Sequence, residues 1–417
     1  MKTSSLLIIL ALVLIIAVAL AIIYPLYTTR PPATVSTQTV STPILLGGNL
    51  EWTGQEASVN LWKERGARLA IEKINSKGGV LGRPIDIVIY DSALSTEKAV
   101  SIATRLIEVD KVAVVVSLGA TVTASAMIPV TEKYGVINFV MFAPASIVRQ
   151  KLQDPNYYPN TYIFSAGSYF YPKAFLDFLA SLPESDRPKT IAVIGRNDVY
   201  GKDSYTSIEE WLKEHPGMFN IVANEYFDVG TPDLKPLVSK IIAINPDVIM
   251  ANVYMGEAIQ VVKALQELRW KPKFLWINVG PQQPEWVTQL GDIANYVFTS
   301  TPYVWTIPTP GNEELNNLTL SRYGTNAVYG EGCAYAMIEI IAQAIKKAGS
   351  TDPAKIKEIL NKETFDTIIG KVRFKNGVLQ LEHFVIQIIN GKPEVVWPLE
   401  YRTHNPIYPI PDSWLRG

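Results

Sequence analysis

From Ile44 onward, short β-branched runs alternate with stretches whose apolar residues recur three and four positions apart. "PILLGG" (43–48) reads as a strand, and Ala67, Ala70, Ile71 and Ile74 then mark one face of a helix. Gly78 and Gly79 stop that helix, as a C-terminal glycine does. "IDIVIY" (85–90) is the second strand. Val100, Ala103 and Ile107 are expected on the inner face of the helix after it. "VAVVVS" (112–117) is apolar without a break, as a strand covered on both faces should be. "VINFVMF" (136–142) is the fourth strand and "YIFSAG" (162–167) closes the series.

The alternation then restarts. "TIAVIG" (190–195), "NIVANEYF" (220–227), "DVIMANVY" (247–254), "KFLWIN" (273–278) and "NYVFTSTPY" (295–303) read as strands. Helices are expected around Tyr205 to Trp211, after a cap-and-proline start at Thr231-Pro232-Asp233, and at about 256–268. Three more follow at about 312–323, 328–348 and 353–361, the last capped by Asp352 before Pro353. "KVRF" and a hairpin turning at Asn390-Gly391 end the chain. Strands alternating with helices mean βαβ units and parallel sheets, and two series mean two α/β lobes. At about 150 residues per domain, the length also gives two or three domains.

The glycines of "INSKGGVLGRPIDIVIYD" (74–91) follow a helix and precede a strand. A phosphate loop has the reverse order, because the anion must face a helix N-terminus. This stretch is therefore a helix end and a turn. In such folds ligands lie at the carboxyl ends of strands, so the segments there carry the candidate chemistry: "GGNLEWTGQEAS" (47–58), "SLGATVTAS" (117–125), "FAPAS" (142–146), "RNDVYG" (196–201), "VYMGE" (253–257) and "NVG" (278–280). Small and hydroxyl residues open the helix after the third strand, where backbone N–H groups and Thr121 suit an acceptor-rich group. Thr121 would also serve as an ordinary cap. Asp91 is expected to hold the turn after its strand, and Trp62, Trp211 and Trp270 to pack on helices.

The net charge of −1 excludes nucleic acid as a main partner, since phosphate binding needs a basic surface. Cys333 is the only cysteine, so no intrachain disulfide forms, and the three scattered histidines have no metal-ligand spacing. No nucleophile–base pair and no cofactor loop is present, so no enzymatic activity and no cofactor are expected. Lys2 precedes an uncharged run from Leu6 to Ile23, close to the roughly 20 residues that span a bilayer. Ala19-Leu20-Ala21 also has the small residues of a cleavage site. Residues 1–24 thus read as a membrane anchor or a signal peptide, and the Thr/Ser/Pro-rich residues 25–43 as an extended tether. The rest is expected outside the cytoplasm.

The order of segments resembles the periplasmic solute-binding proteins of ABC importers, of the branched-chain amino-acid (Leu/Ile/Val) type. "TGQEA", "GARLAIEKINSKGGVLGRPIDIVIYDSALSTEKAV", "TEKYGVINFV", "YIFSAG", "DVYGKD", "PDVIMAN" and "FDTIIGKVRFKNGVLQ" carry the resemblance from about 44 to 400. It implies the type I periplasmic-binding fold: α/β, with two Rossmann-like lobes of parallel sheet joined by three hinge crossovers. The lobes would be 44–163 with about 300–385, and 164–299 with about 386–417. By position, the family's carboxylate-holding segments fall on Gly119, Ala120 and Thr121, and on Phe142, Ala143 and Pro144 with Ser146 nearby. Its cleft tyrosines fall on Tyr200 and Tyr254, and Trp52 lies where the cleft begins. Two departures stand out. Pro144 replaces a hydroxyl residue, and the position of the acid that meets an α-ammonium falls near Asn278, with Glu257 and Asp198 the nearest substitutes. The ligand is therefore amino-acid-like, an amide or an aromatic acid. The partners expected are this small solute, ABC permease subunits and, through the N-terminal segment, the membrane; the chain is expected to be a monomer. A ligand-sensing receptor ectodomain of the same fold is the alternative.

Overall fold

The computed structural model describes residues 41–53 and 57–416. The anchor or signal at 1–24, all of the tether but its last three residues, and Gly54–Glu56 of the "TGQEA" block lie outside the described residues. Among the described residues no helix is long and apolar enough to cross a membrane.

The first pass of the chain runs β1 (Ile44–Leu50), α1 (Ala57–Ser76), β2 (Ile85–Asp91), α2 (Thr96–Glu108), β3 (Val114–Ser117), α3 (Thr121–Tyr134), β4 (Asn138–Phe142), α4 (Ala145–Gln153) and β5 (Thr161–Ser165). It then continues as α5 (Gly167–Ser181), β6 (Thr190–Arg196), α6 (Val199–Glu214), β7 (Asn220–Phe227), α7 (Lys235–Ile242), β8 (Val248–Asn252), α8 (Met255–Glu267), β9 (Phe274–Ile277), α9 (Pro284–Leu290) and β10 (Phe298–Thr301). Next come α10 (Asn312–Tyr323), α11 (Tyr329–Ala348), α12 (Pro353–Lys362), β11 (Thr364–Thr367), β12 (Gly370–Lys375) and β13 (Val378–Gln380). The hairpin β14 (Phe384–Ile389) and β15 (Lys392–Trp397) follows.

Two sheets result, in the orders β11-β12-β13-β5-β4-β3-β1-β2 and β15-β14-β10-β9-β8-β6-β7. Their cores are parallel, as the βαβ alternation requires, but both edges that close the chain are antiparallel: β11–β12–β13 on the first, β10–β14–β15 on the second. The chain passes between sheets three times, after β5, β10 and β13. Strand pairing moves the expected lobe limits by a few residues. Phe164 and Ser165 belong to β5 in the first sheet, Ser300 and Thr301 to β10 in the second, and Phe384 and Val385 to β14 in the second. The limits near 163 and 385 fall inside apolar runs, where composition has no break to mark the change of sheet.

Alternation along each strand divides the cores. Val114 and Val116 face a cluster with α1 and α11, while Val115 faces α2. Ala192 and Ile194 join α7, α8 and α9, while Ile191 and Val193 face α5 and α6. These are the two faces of a pleated strand, both covered. Helices α1 and α11 pack backbone to backbone at Gly66, where a Cβ would lie 2.1 Å from the Glu331 carbonyl oxygen. The "SKGGVLGR" turn has Gly78 at φ 94, Gly79 at φ 72 and Gly82 at φ 72, the left-handed conformation that glycine adopts without strain. Two expectations are corrected. The inner face of α2 is Ala99, Ile102, Ala103 and Leu106, and Val100 is exposed. Helix α7 begins at Lys235 with Pro236 in its first turn, and Thr231 instead donates to the Asp228 carbonyl.

Candidate functional site

Each sheet reverses its strand order once, between β1 and β3 and between β6 and β8. At such a point the connections leave in opposite directions and open a crevice at the carboxyl ends. A cavity of about 60 Å³ is lined by residues that follow those ends in both sheets. Ala120 and Thr121 follow β3, Phe142 ends β4 and Gly167 follows β5. From the other sheet come Tyr200 after β6, Tyr254 after β8, and Asn278, Val279 and Gln282 after β9. Lys63 of α1, Tyr171 of α5 and Tyr329 at the start of α11 complete it. A more open groove of about 620 Å³ lies at the other end of β9, around Lys273 and Phe274.

The walls are aromatic. Tyr200 and Tyr254 stack with centroids 4.9 Å apart, and Phe142 and Tyr329 tilt together at 6.1 Å. Burial holds the Tyr200 and Tyr171 hydroxyls well above the usual phenol range, so both stay protonated. Behind Tyr254 lies Arg196, its guanidinium carbon 4.4 Å from the ring centroid. Burial works against its charge, but Asp198 at 2.9 Å and Glu257 more than offset this and raise its pKa. Glu257 also accepts the Tyr254 backbone N–H at 3.2 Å, and Asp198 accepts that of Gly201 at 3.0 Å. Both acids are thus committed to Arg196 and to helix starts, which corrects their reading as substitutes for an ammonium-binding acid.

On the first lobe, the wholly buried Glu51 carboxylate accepts four hydrogen bonds. They come from the Ala120 N–H (2.9 Å), Asn60 Nδ2 (2.9 Å), Ser92 Oγ (2.9 Å) and Thr123 Oγ1 (2.7 Å). Lys63 Nζ donates to Asn60 Oδ1 at 2.8 Å and to the Leu118 carbonyl at 2.9 Å. Gly119 makes this possible, since a Cβ there would lie 2.4 Å from Asn49 Nδ2 and 2.6 Å from Glu51 Oε1.

The structure thus brings Ala120, Thr121, Tyr200, Tyr254 and Asn278 around one cavity, and places four other expected residues elsewhere. Trp52 is 40% exposed, donates through Nε1 to Glu64 at 2.8 Å and through its backbone to Asp91 at 3.1 Å. Gly119 shapes the Glu51 network, and Ala143 is buried in the core between β4 and α4. Ser146 points across to α6, where its backbone and hydroxyl donate to Asp203 at 3.2 and 3.4 Å. Arg149 extends that junction, donating to Ser207 Oγ at 2.7 Å and pairing with Glu210. Lys63, Gly167, Tyr171, Gln282 and Tyr329 were not anticipated. Gly167 and Gln282 sit just beyond strand ends, a signal that could have found them; the other three lie within helices, where no local signal marks them.

A family model described as periplasmic binding protein matches residues 43–392, and the chain belongs to that family. "Leu/Ile/Val-binding protein homolog 7" of Brucella suis is 26% identical over 344 residues, covering 81% of this chain and 85% of its own. The branched-chain amino acid transporter substrate binding protein of Streptococcus pneumoniae, solved with isoleucine, superposes with a TM-score of 0.72 at 22% identity, over 86% of this chain and all of that one (100%). A solute binding protein of Rhodopseudomonas palustris BisB5, in complex with 3,4-dihydroxy benzoic acid, has a TM-score of 0.71 at 20% identity, over 84% of this chain and 95% of that one. The fold is the type I periplasmic-binding fold, and the chain is an extracytoplasmic solute-binding protein.

Proposed function

We propose that the cavity between the two sheets captures a small polar solute, which the protein hands to an ABC permease without chemical change. The observation that carries this is the meeting of both switch points on one aromatic cavity holding buried polar atoms without partners. Tyr200 Oη and Asn278 Oδ1 have none among the described residues. A buried polar group left unpaired costs about 1–3 kcal/mol, which a fitting solute recovers. We assign Ala120, Thr121, Tyr200, Tyr254 and Asn278 to the solute, with Lys63, Tyr171, Gln282 and Tyr329. The branched-chain and aromatic-acid relatives bracket the size of solute. The apolar run from Leu6 to Ile23 supports tethering to the outer face of the membrane, and the mature protein acts as a monomer.

The test is a thermal-shift screen of the full-length protein against amino acids, amides, aromatic acids and sugars, since binding to the folded state alone raises stability by mass action. A solute that raises Tm should bind Thr121→Ala and Tyr200→Phe roughly tenfold or more weakly, about 1.4 kcal/mol each, with Tm of the unliganded protein little changed. Unchanged affinity in both variants would remove this site. Turnover of the bound solute would overturn the non-enzymatic reading.

A further inference from the structure

Each wall of the cavity carries a charged cluster that is closed upon itself. On the first wall, Glu51 and Lys63 are joined through Asn60: Glu51 accepts from Asn60 Nδ2 and Lys63 donates to Asn60 Oδ1. On the second, Arg196 lies between Asp198 and Glu257. Of the five charged residues in these clusters, only Lys63 lines the cavity itself. We infer that, granted the solute-binding reading above, the cavity selects an uncharged ligand, a short flat amide, and discriminates against free carboxylates and ammonium groups.

Three observations converge. The first is that the anion position at the start of α3 is filled from within. The Ala120 N–H, a donor that would greet a ligand carboxylate there, already bonds a Glu51 carboxylate oxygen at 2.9 Å. A second anion beside Thr121 would lie next to a buried carboxylate of like charge, and Lys63 already donates to Asn60 Oδ1 and the Leu118 carbonyl. The second is that an ammonium group finds no acid. Asn278, neutral and wholly buried, lines the cavity where an acid would be needed, and Asp198 and Glu257 face Arg196. The third is what the walls do offer. Tyr200 supplies a protonated hydroxyl, Asn278 an amide oxygen, and both are unpartnered among the described residues. An amide group, with a carbonyl to accept and N–H groups to donate, complements that pair and is neutral. The stacked Tyr200–Tyr254 pair and the Phe142–Tyr329 pair give a flat group apolar faces to lie against. The volume of about 60 Å³ corresponds to roughly four to six water sites at about 10–15 Å³ each, which limits the ligand to a short amide of a few heavy atoms.

The experiment is titration of the full-length protein at pH 7.5 with acetamide, acetate and ethylamine, which are of similar size and differ in charge. Acetamide should bind at least tenfold more tightly than either charged probe. In Glu51→Gln the buried negative charge beside the Ala120 N–H is removed, and the ratio of acetate to acetamide affinity should rise tenfold or more. Lys63→Met gives the mirror result should Glu51→Gln fail to fold: the cation lining the cavity is removed, and the ratio of ethylamine to acetamide affinity should rise by a similar factor. Acetate or ethylamine binding as tightly as acetamide overturns the inference and leaves the solute-binding reading standing. So does an unchanged ratio in a folded variant, or no binding by any of the three probes. Failure of the whole solute screen is the separate result that overturns the solute-binding reading itself.

Discussion

At the scale of single residues, burial decides the protonation states that hold the crossovers and helix starts. His383 lies at the third passage between sheets, stacked on Phe170 at 4.7 Å with Nε2 3.1 Å from Ser165 Oγ. Burial pushes its pKa down to about 3. Between about pH 6.5 and 3 the unfolded chain therefore takes up a proton that the folded ring refuses. Stability falls as pH falls through that window, by up to about 1.4 kcal/mol per unit. Glu331 and Glu339 work the other way. Burial raises both to about 7, so the folded state keeps protons that the unfolded chain loses above about 4.5. Their contribution is full below about 4.5 and is lost as pH rises through 7. His383→Gln separates the two effects. The stability of wild type relative to this variant should drop by about 2–3 kcal/mol between pH 6 and pH 4 in urea unfolding. A difference that does not move with pH would mean that the folded ring takes up protons freely.

At the scale of elements, two contacts stand out. The first joins α4 on the first lobe to α6 on the second. Arg149 meets Asp203, Ser207 and Glu210, Lys173 adds a second cation 3.2 Å from Glu210, and Ser146 adds the Asp203 bonds. We predict that these groups part when the lobes separate, so that their energy favours the closed arrangement. Arg149→Ala should weaken solute affinity by about three- to tenfold, since partly buried ion pairs of this kind are worth about 1 kcal/mol. Small-angle scattering of the unliganded variant should show a larger radius of gyration, and 1 M salt should mimic the substitution in wild type. Equal radii and equal affinities would show that the junction does not govern closure. The second contact is the crossing of α1 and α11 at Gly66. A methyl group there meets backbone, not a side chain that can turn away. Gly66→Val should cost roughly 1–3 kcal/mol of stability despite its apolar character, read as a lower Tm, as overpacking of a tight core does.

At the scale of the molecule, the same strand order is used twice, 2-1-3-4-5 in the first sheet and its counterpart 7-6-8-9-10 in the second, with both reversals turned to one cavity. Neither lobe alone lines it. We propose that a solute is gripped only when both are present, so that binding and lobe closure are one equilibrium. A saturating solute should therefore reduce the radius of gyration of wild-type protein in small-angle scattering. If the radius stays the same while the solute binds, closure precedes binding. For tethering, the full-length chain should sediment with membranes and resist carbonate extraction; release by carbonate would point to a cleaved segment.

The α/β class, the succession of the ten strands that form the two sheets' parallel cores and the family were legible in the sequence, while the helices at 145–153, 167–181 and 284–290 were not. The physical reasons are local: period 3.6 against unbroken β-branched runs, Asp352 capping before Pro353, and Asn390-Gly391 turning a hairpin with φ of 51 and 72. Strand ends could likewise be read, and with them Thr121, Tyr200, Tyr254 and Asn278, because in this fold the crevice lies beyond carboxyl ends. Tertiary packing decided the rest. It turned Ser146 toward Asp203 and Ala143 into the core, and brought Lys63, Tyr171 and Tyr329 to the cavity from within helices whose own periodicity assigns them only to a face. It placed the Glu51 carboxylate, just beyond the end of β1, on the amide of Ala120, the residue that caps α3, 69 residues away in the chain. Pairing of that kind depends on which strand lies beside which, and no local pattern encodes it. The sequence by itself therefore determined what kind of protein this is, and the fold alone decided which charged groups meet and which side chains line the cavity.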